Sequence, residues 1–204
     1  MTGLGLDTAN RSQGLAPIPA GTLVELVMKI KAGNIGIDGL CKRSSKGDSE
    51  GLDTEYIIRA GEYDKRKLYA FHLLDGVTSG HAKAGEITRS LLRAIFEAVH
   101  AIDPNDNSPE TTSRRASASL ADFNGATFLA ELAIEKGGQK PDGGSYPDKN
   151  VISKVLRPGD KGYRKLDQPP PAPIERSGPP PATNTTNGAP AVAPTAIAKP
   201  DWAS

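Results

Sequence analysis

The chain has 204 residues, 25 Lys and Arg against 24 Asp and Glu, and one cysteine. That length fits one domain with extensions, and near-neutrality excludes the strongly basic character of a duplex-DNA binder. A lone Cys41 excludes an internal disulfide, and no run reaches the roughly 20 apolar residues of a membrane span. The opening MTGLGLDTANRSQG lacks a signal peptide's basic-then-apolar order, so a soluble protein of a bacterial host cytoplasm is expected.

Residues 1–19 are polar and Gly/Pro-containing and read as a flexible arm ahead of a domain over 20–166. Thr22–Ala32 alternates, with Val24, Leu26, Met28 and Ile30 on one face and Glu25, Lys29 and Lys31 on the other, the period of a half-buried strand. A Gly/Ser/charge-rich stretch, Gly33 to Gly51, follows, with room for a short strand around Leu40–Arg43. Asp53–Arg59 and Lys67–Leu74 then read as an antiparallel hairpin joined by Ala60–Arg66. Ser79–Ile102 reads as a long helix capped by Thr78 or Ser79, with Ile87, Leu91, Ala94/Ile95, Ala98 and Ile102 as its core stripe. Asp103-Pro104 ends it. A polar loop with a short helix at Glu110–Ala118 leads to a strand at Gly125–Glu135, where Phe128, Ala130, Leu132 and Ile134 share a face. Val151–Arg157 is the last strand.

Five short strands with one long helix between the third and fourth give an α+β, mainly β domain. The expected architecture is a five-stranded barrel of the oligonucleotide/oligosaccharide-binding (OB) type, among other α+β meanders that fit the same order. Ten of the 17 prolines follow Leu166, so residues 167–204 read as a disordered Pro/Ala-rich tail.

No phosphate-binding Gly-rich loop, nucleophile elbow or cysteine pair for zinc is present, so neither enzyme activity, cofactor nor metal is expected. Glu97-Ala98-Val99-His100 matches half of a di-iron helix motif but reads as a solvated helix face. Cys41 has basic neighbours, Lys42 and Arg43, which would favour its thiolate, but it reads as a thiol in a strand. Basic residues interleaved with aromatics say more. Tyr63, Lys65, Arg66, Lys67, Tyr69 and Phe71 place cations at a turn and two rings on one strand face. Lys42, Arg43 and Lys46 join from the preceding loop, and Lys29 and Lys31 from the first strand. Cations that track phosphates and rings that stack on bases hold single strands. The alternation allows the opposite orientation too, with Tyr69 and Phe71 in the core and Leu68, Ala70, His72 and Leu74 outside.

Asp53–Leu74, the long helix, Leu120–Glu135 and Ser145–Val155 together resemble a family of small phage and prophage proteins. The resemblance rests on Glu55-Tyr56, Gly61, Tyr63 and Arg66, on Leu120, Phe123 and Gly125, and on Tyr146 and Asn150, and it spans about residues 17–166. It departs in one place: a second glycine expected before Arg66 is absent. The resemblance implies an OB-type barrel that binds single-stranded DNA without sequence preference, in replication or recombination. In the tail, Asp201 and Trp202 resemble, by placement, the partner-recruiting hook of bacterial single-stranded DNA-binding proteins, which implies a recombinase or replication protein as a partner. Self-association is left open. A protein-binding adaptor or assembly factor using the tail is the competing reading.

Overall fold

The computed structural model describes residues 16–167. Six strands form one antiparallel sheet: β1 (Leu23–Lys31), β2 (Lys42–Arg43), β3 (Ser49–Ile58), β4 (Lys67–Gly76), β5 (Thr127–Glu135) and β6 (Lys149–Val155). Helix α1 (Ser79–His100) follows β4, and a short α2 (Pro109–Ala116) and a 3-10 turn at Leu120–Phe123 precede β5. The long strands lie in the order β4-β3-β1-β5-β6, and β2 continues the line of β1 along β3. No helix among the described residues is long and apolar enough to cross a membrane.

The fold is mainly β with a helical layer, as the alternation predicts, but two expectations are corrected. Six strands are present instead of five, because Lys42 and Arg43 pair with Gly51 and Glu50. The sheet is also not closed into a barrel: β4 is bonded to β3 and β6 to β5, and neither edge bonds to the other. Two clefts of about 290 and 250 Å³ mark the seam between those edges. The seam is bridged at one place by residues 16–18. Asn150 offers its amide like a strand's backbone, accepting from Ile18 N–H and donating to Ile18 C=O, both at 2.8 Å. Arg66 donates to Ala16 C=O at 2.7 Å, and Ile18 is 1% exposed. The expected arm therefore stops short of its predicted end: residues 16–19 belong to the domain.

Alternation gives the core its inner face. Val24, Leu26, Met28 and Ile30 of β1, Leu52, Tyr56 and Ile58 of β3, Leu68 of β4 and Phe128, Ala130 and Leu132 of β5 are all buried. Each aliphatic or aromatic side chain buried here contributes about 1.5–3 kcal/mol. Thr54, also inward, donates to Ala70 C=O at 2.9 Å. Ile134, expected in the same row, sits at the strand's end and is exposed. Leu129 points to the opposite face of β5 yet is buried, because Leu156 and Leu166 of the returning chain cover it.

Helix α1 begins where expected, with Thr78 Oγ1 accepting from His81 N–H. Its core stripe is the expected one except at its start: Ile95, Ala98 and Ile102 are buried and Leu91 and Ala94 pack on the core, but Ile87 is 64% exposed. Gly85, Thr88, Leu92 and Phe96 also face inward. Gly85 lets the helix approach β4: a β-carbon there would meet the Leu74 carbonyl.

Glu97 is likewise corrected from a solvated to a fully buried side chain, 0% exposed. Three guanidinium groups hold it. Arg93 Nε and Arg115 Nη2 donate to Oε1 at 2.8 and 2.9 Å, and Arg157 Nη1 donates to Oε2 at 3.0 Å. These come from α1, α2 and the segment after β6. Removing the charge of a buried, fully engaged carboxylate typically costs about 3–5 kcal/mol. Glu97→Gln is therefore expected to lower the melting temperature by about 10 °C, whereas exposed Glu86→Gln on the same helix leaves it within about 2 °C.

Two histidines give stability a pH dependence. His72 Nε2 lies 2.7 Å from the hydroxyl of buried Tyr56, and burial pushes its pKa down. Burial, helped by Arg114 and Lys165, also holds His100 below the usual histidine value. Both groups bind protons more readily in the unfolded chain. Their contribution is thus complete above about pH 6.5 and is lost as pH falls below it toward their folded values. Chemical denaturation between pH 7.5 and 5.5 should show declining stability, and His72→Gln with His100→Gln should flatten that part of the profile.

Candidate functional site

The pairing of β1, β3 and β4 lines up their outward residues in rows. Val27, Ile57 and Lys67 form one row, Lys29, Glu55 and Tyr69 the next, then Lys31, Asp53 and Phe71, and last Lys42, Gly51 and Leu73. The orientation left open by the alternation is decided here: Leu68 is inward at 7% exposure, while Tyr69 and Phe71 are outward at 57% and 45%. From Lys67 to Leu73 this face runs about 20 Å.

Each ring has a specific support. Lys31 Nζ stands 5.0 Å above the Tyr69 ring, a cation–π contact. Phe71 lies across β3 at Gly51, where a β-carbon would come 2.8 Å from its Cζ and would also strike the His72 carbonyl. Glycine at this position, beside the irregularity between Glu50 and Gly51, lets the ring lie flat.

Four lysines rim the rings, and two carboxylates lie among them. Lys67 reaches Glu55 at 3.0 Å, and Lys42 and Lys31 reach Asp53 at 3.2 and 3.8 Å. The hydrogen bond from Lys67 to Glu55 raises the lysine's pKa, and so it stays cationic at neutral pH. Lys29 makes no ion pair among the described residues. The lysines are about half exposed and their carboxylates more covered, Asp53 at 26% and Glu55 at 14%, so a phosphate draws Lys31 or Lys42 away more readily than Lys67.

The remaining residues singled out from the sequence are scattered around this face. Arg43 is paired with Glu50 at 2.8 Å, and Lys46 is exposed in the β2–β3 turn. Tyr63, Lys65 and Arg66 sit in the β3–β4 turn at the other end. Tyr63 packs on the core with the Arg66 guanidinium 5.6 Å from its ring centroid, and Arg66 is engaged with Ala16. Lys65 occupies the left-handed region at φ 65°, the place where the resemblance would put a glycine. Asp201 and Trp202 lie outside the described residues.

Tyr146, singled out from the sequence only for the resemblance, is 54% exposed in the β5–β6 loop with Lys140 Nζ 5.5 Å from its ring centroid, a further cation–ring pair that sequence reasoning missed. The Lys-to-aromatic spacing across a Gly-rich turn was the available signal. Cys41, beside this face at β2, is buried, and burial followed by the nearby Glu50 charge raises its pKa. The basic neighbours do not activate it.

The placement of Phe71 over Gly51 has a direct readout. The Gly51 Hα resonances should be shifted upfield by the ring in the wild type and should return to ordinary strand values in Phe71→Leu. No family model, curated protein or solved structure matches the chain.

Proposed function

We propose that the chain binds single-stranded nucleic acid, DNA in the first instance, across the outer face of β1, β3 and β4, without sequence preference and without catalysis. One observation carries this reading: Tyr69 and Phe71, neighbours on one strand face, are open to solvent amid Lys29, Lys31, Lys42 and Lys67. Aromatic side chains of that size bury 150–250 Å² each when covered. Left open in pairs, they suit a flat partner. Bases stack on such rings for about 1–3 kcal/mol each, and lysines alongside neutralise phosphates.

The strand order supports the same reading. Taken with α1 between the third and fourth long strands, β4-β3-β1-β5-β6 is the order of a partly open OB-type barrel, in which the second and third strands, here β3 and β4, present the oligonucleotide face. The open seam between β4 and β6 is where such a barrel would close. A place in phage or prophage replication or recombination, in the cytoplasm of a bacterial host, follows from the resemblance of the segments around Tyr63, Phe123 and Asn150. A protein-binding adaptor is the second reading, since exposed aromatics are also enriched at protein interfaces.

Fluorescence anisotropy with a labelled oligo-dT separates the two. With about five phosphates neutralised, log affinity should fall against log salt with a slope near −3.5. Tyr69→Ala and Phe71→Ala should each weaken binding by about 5- to 150-fold while leaving the melting temperature nearly unchanged. Lys29→Ala should make the salt slope about 0.7 shallower. An oligonucleotide that fails to bind at low salt, or that binds both ring variants as tightly as the wild type, rules the nucleic-acid reading out.

A further inference from the structure

Away from the β1-β3-β4 face, α1, α2 and the 3-10 turn enclose a cleft of about 630 Å³, within the usual range for ligand sites. Its floor is apolar, formed by Leu92, Phe96 and Phe123, and its rim carries Arg89, Arg93 and Arg115. Arg93 and Arg115 are partly neutralised by Glu97, whereas Arg89 donates only to the Leu74 carbonyl, at 3.0 Å, and meets no carboxylate among the described residues. The cleft thus suits a large apolar group with a carboxylate next to it.

Beyond the described domain the chain joins an aromatic side chain to a neighbouring carboxylate once. Trp202 is the only aromatic residue in 168–204, and Asp201 precedes it. The path of the chain leads there. After β6, Tyr163 donates its hydroxyl to Ala98 C=O in the last turns of α1 at 3.0 Å, and Leu166 is buried. The His100 ring lies 4.3 Å from that of Phe96, part of the cleft floor. The described chain thus passes the end of the helix that carries Phe96 shortly before its last residue, Asp167. The other end leaves at Ala16, held by Arg66 at the β3–β4 turn, and residues 1–15 contain no aromatic.

We propose that the segment around Asp201 and Trp202 docks within its own chain into the α1/α2 cleft, the indole on Leu92, Phe96 and Phe123 and the carboxylate facing Arg89. Reach does not limit it. The 35 residues from Asp167 to Trp202 can span up to about 120 Å, against a radius of gyration of about 15 Å for a domain of this size. A tether on the same domain gives an effective concentration on the order of 1 mM. A contact with a dissociation constant of about 0.1 mM would then be occupied about nine-tenths of the time. The inference stands apart from nucleic-acid binding, since it concerns another surface and is tested without nucleic acid.

Trp202 is the chain's single tryptophan, so its fluorescence reports on this segment alone. In the full chain its emission should be blue-shifted relative to a free peptide of residues 199–204, and acrylamide should quench it about tenfold less. Ala116→Phe, which fills the cleft, and Arg89→Glu, which reverses its rim, should each restore peptide-like quenching with the far-UV circular dichroism unchanged. Asp201→Arg combined with Arg89→Glu should recover protection. Quenching equal to that of the free peptide in the wild type overturns the proposal. So does protection that ignores both cleft variants, or protection that grows with protein concentration, the mark of docking on a second copy.

Discussion

The neutralisation of one buried carboxylate organises the helical side of this protein. Glu97 lies at full burial, a position that a charge occupies only when paired and hydrogen-bonded. Its partners are supplied by three separate stretches: Arg93 one turn earlier on α1, Arg115 on α2 and Arg157 after β6. Each guanidinium is desolvated in part to meet it, and losing any one would remove a charge-assisted hydrogen bond from the buried carboxylate. The same contacts fix where α2 crosses α1 and where the chain runs after the last strand. That run in turn covers Leu129 on the outside of β5 and brings Tyr163 to the end of α1.

With the helical layer fixed, the two faces of β4 acquire different fates. α1 packs on β4, and Gly85 allows its backbone to approach the Leu74 carbonyl closely. Leu68 is buried, Ala70 and Leu74 pack on the core, and His72 meets Tyr56 there. Tyr69 and Phe71 are left on the far side, one beneath Lys31 and the other across Gly51. The exposure of those rings is thus a consequence of a packing decision made on the opposite surface. The carboxylates of Asp53 and Glu55 temper the lysines around them, leaving a face that is only moderately positive. Such a face would favour a sequence-tolerant, readily exchanged ligand over tight electrostatic capture.

The unclosed sheet has its own logic. β4 and β6 each carry a free edge, and exposed edges invite pairing with other chains. Here the gap is partly occupied: Asn150 imitates a neighbouring strand for Ile18, and Arg66 secures Ala16. The backbone groups satisfied in this way are those of Ala16 and Ile18, not those of the two strand edges. One end of the seam is covered without constraining the remainder of the two edges.

The strands were legible in the sequence because burial of one sheet face imposes a two-residue period, and Val24 to Ile30 and Phe128 to Leu132 display it plainly. The start of α1 at Thr78 was legible as well, since capping is a local event. Local pattern determined the elements, then, and the cation and ring types available to a binding face. It did not determine the direction of β4, because both of its faces are apolar, nor the burial of Glu97, two of whose three arginine partners stand 18 and 60 residues away in the chain. It also missed the exposure of Ile87, since an apolar stripe says nothing of how closely a glycine lets a helix approach. Tertiary structure settled those points. Desolvation, charge pairing and close packing depend on neighbours in space, and periodicity along a chain carries no record of them.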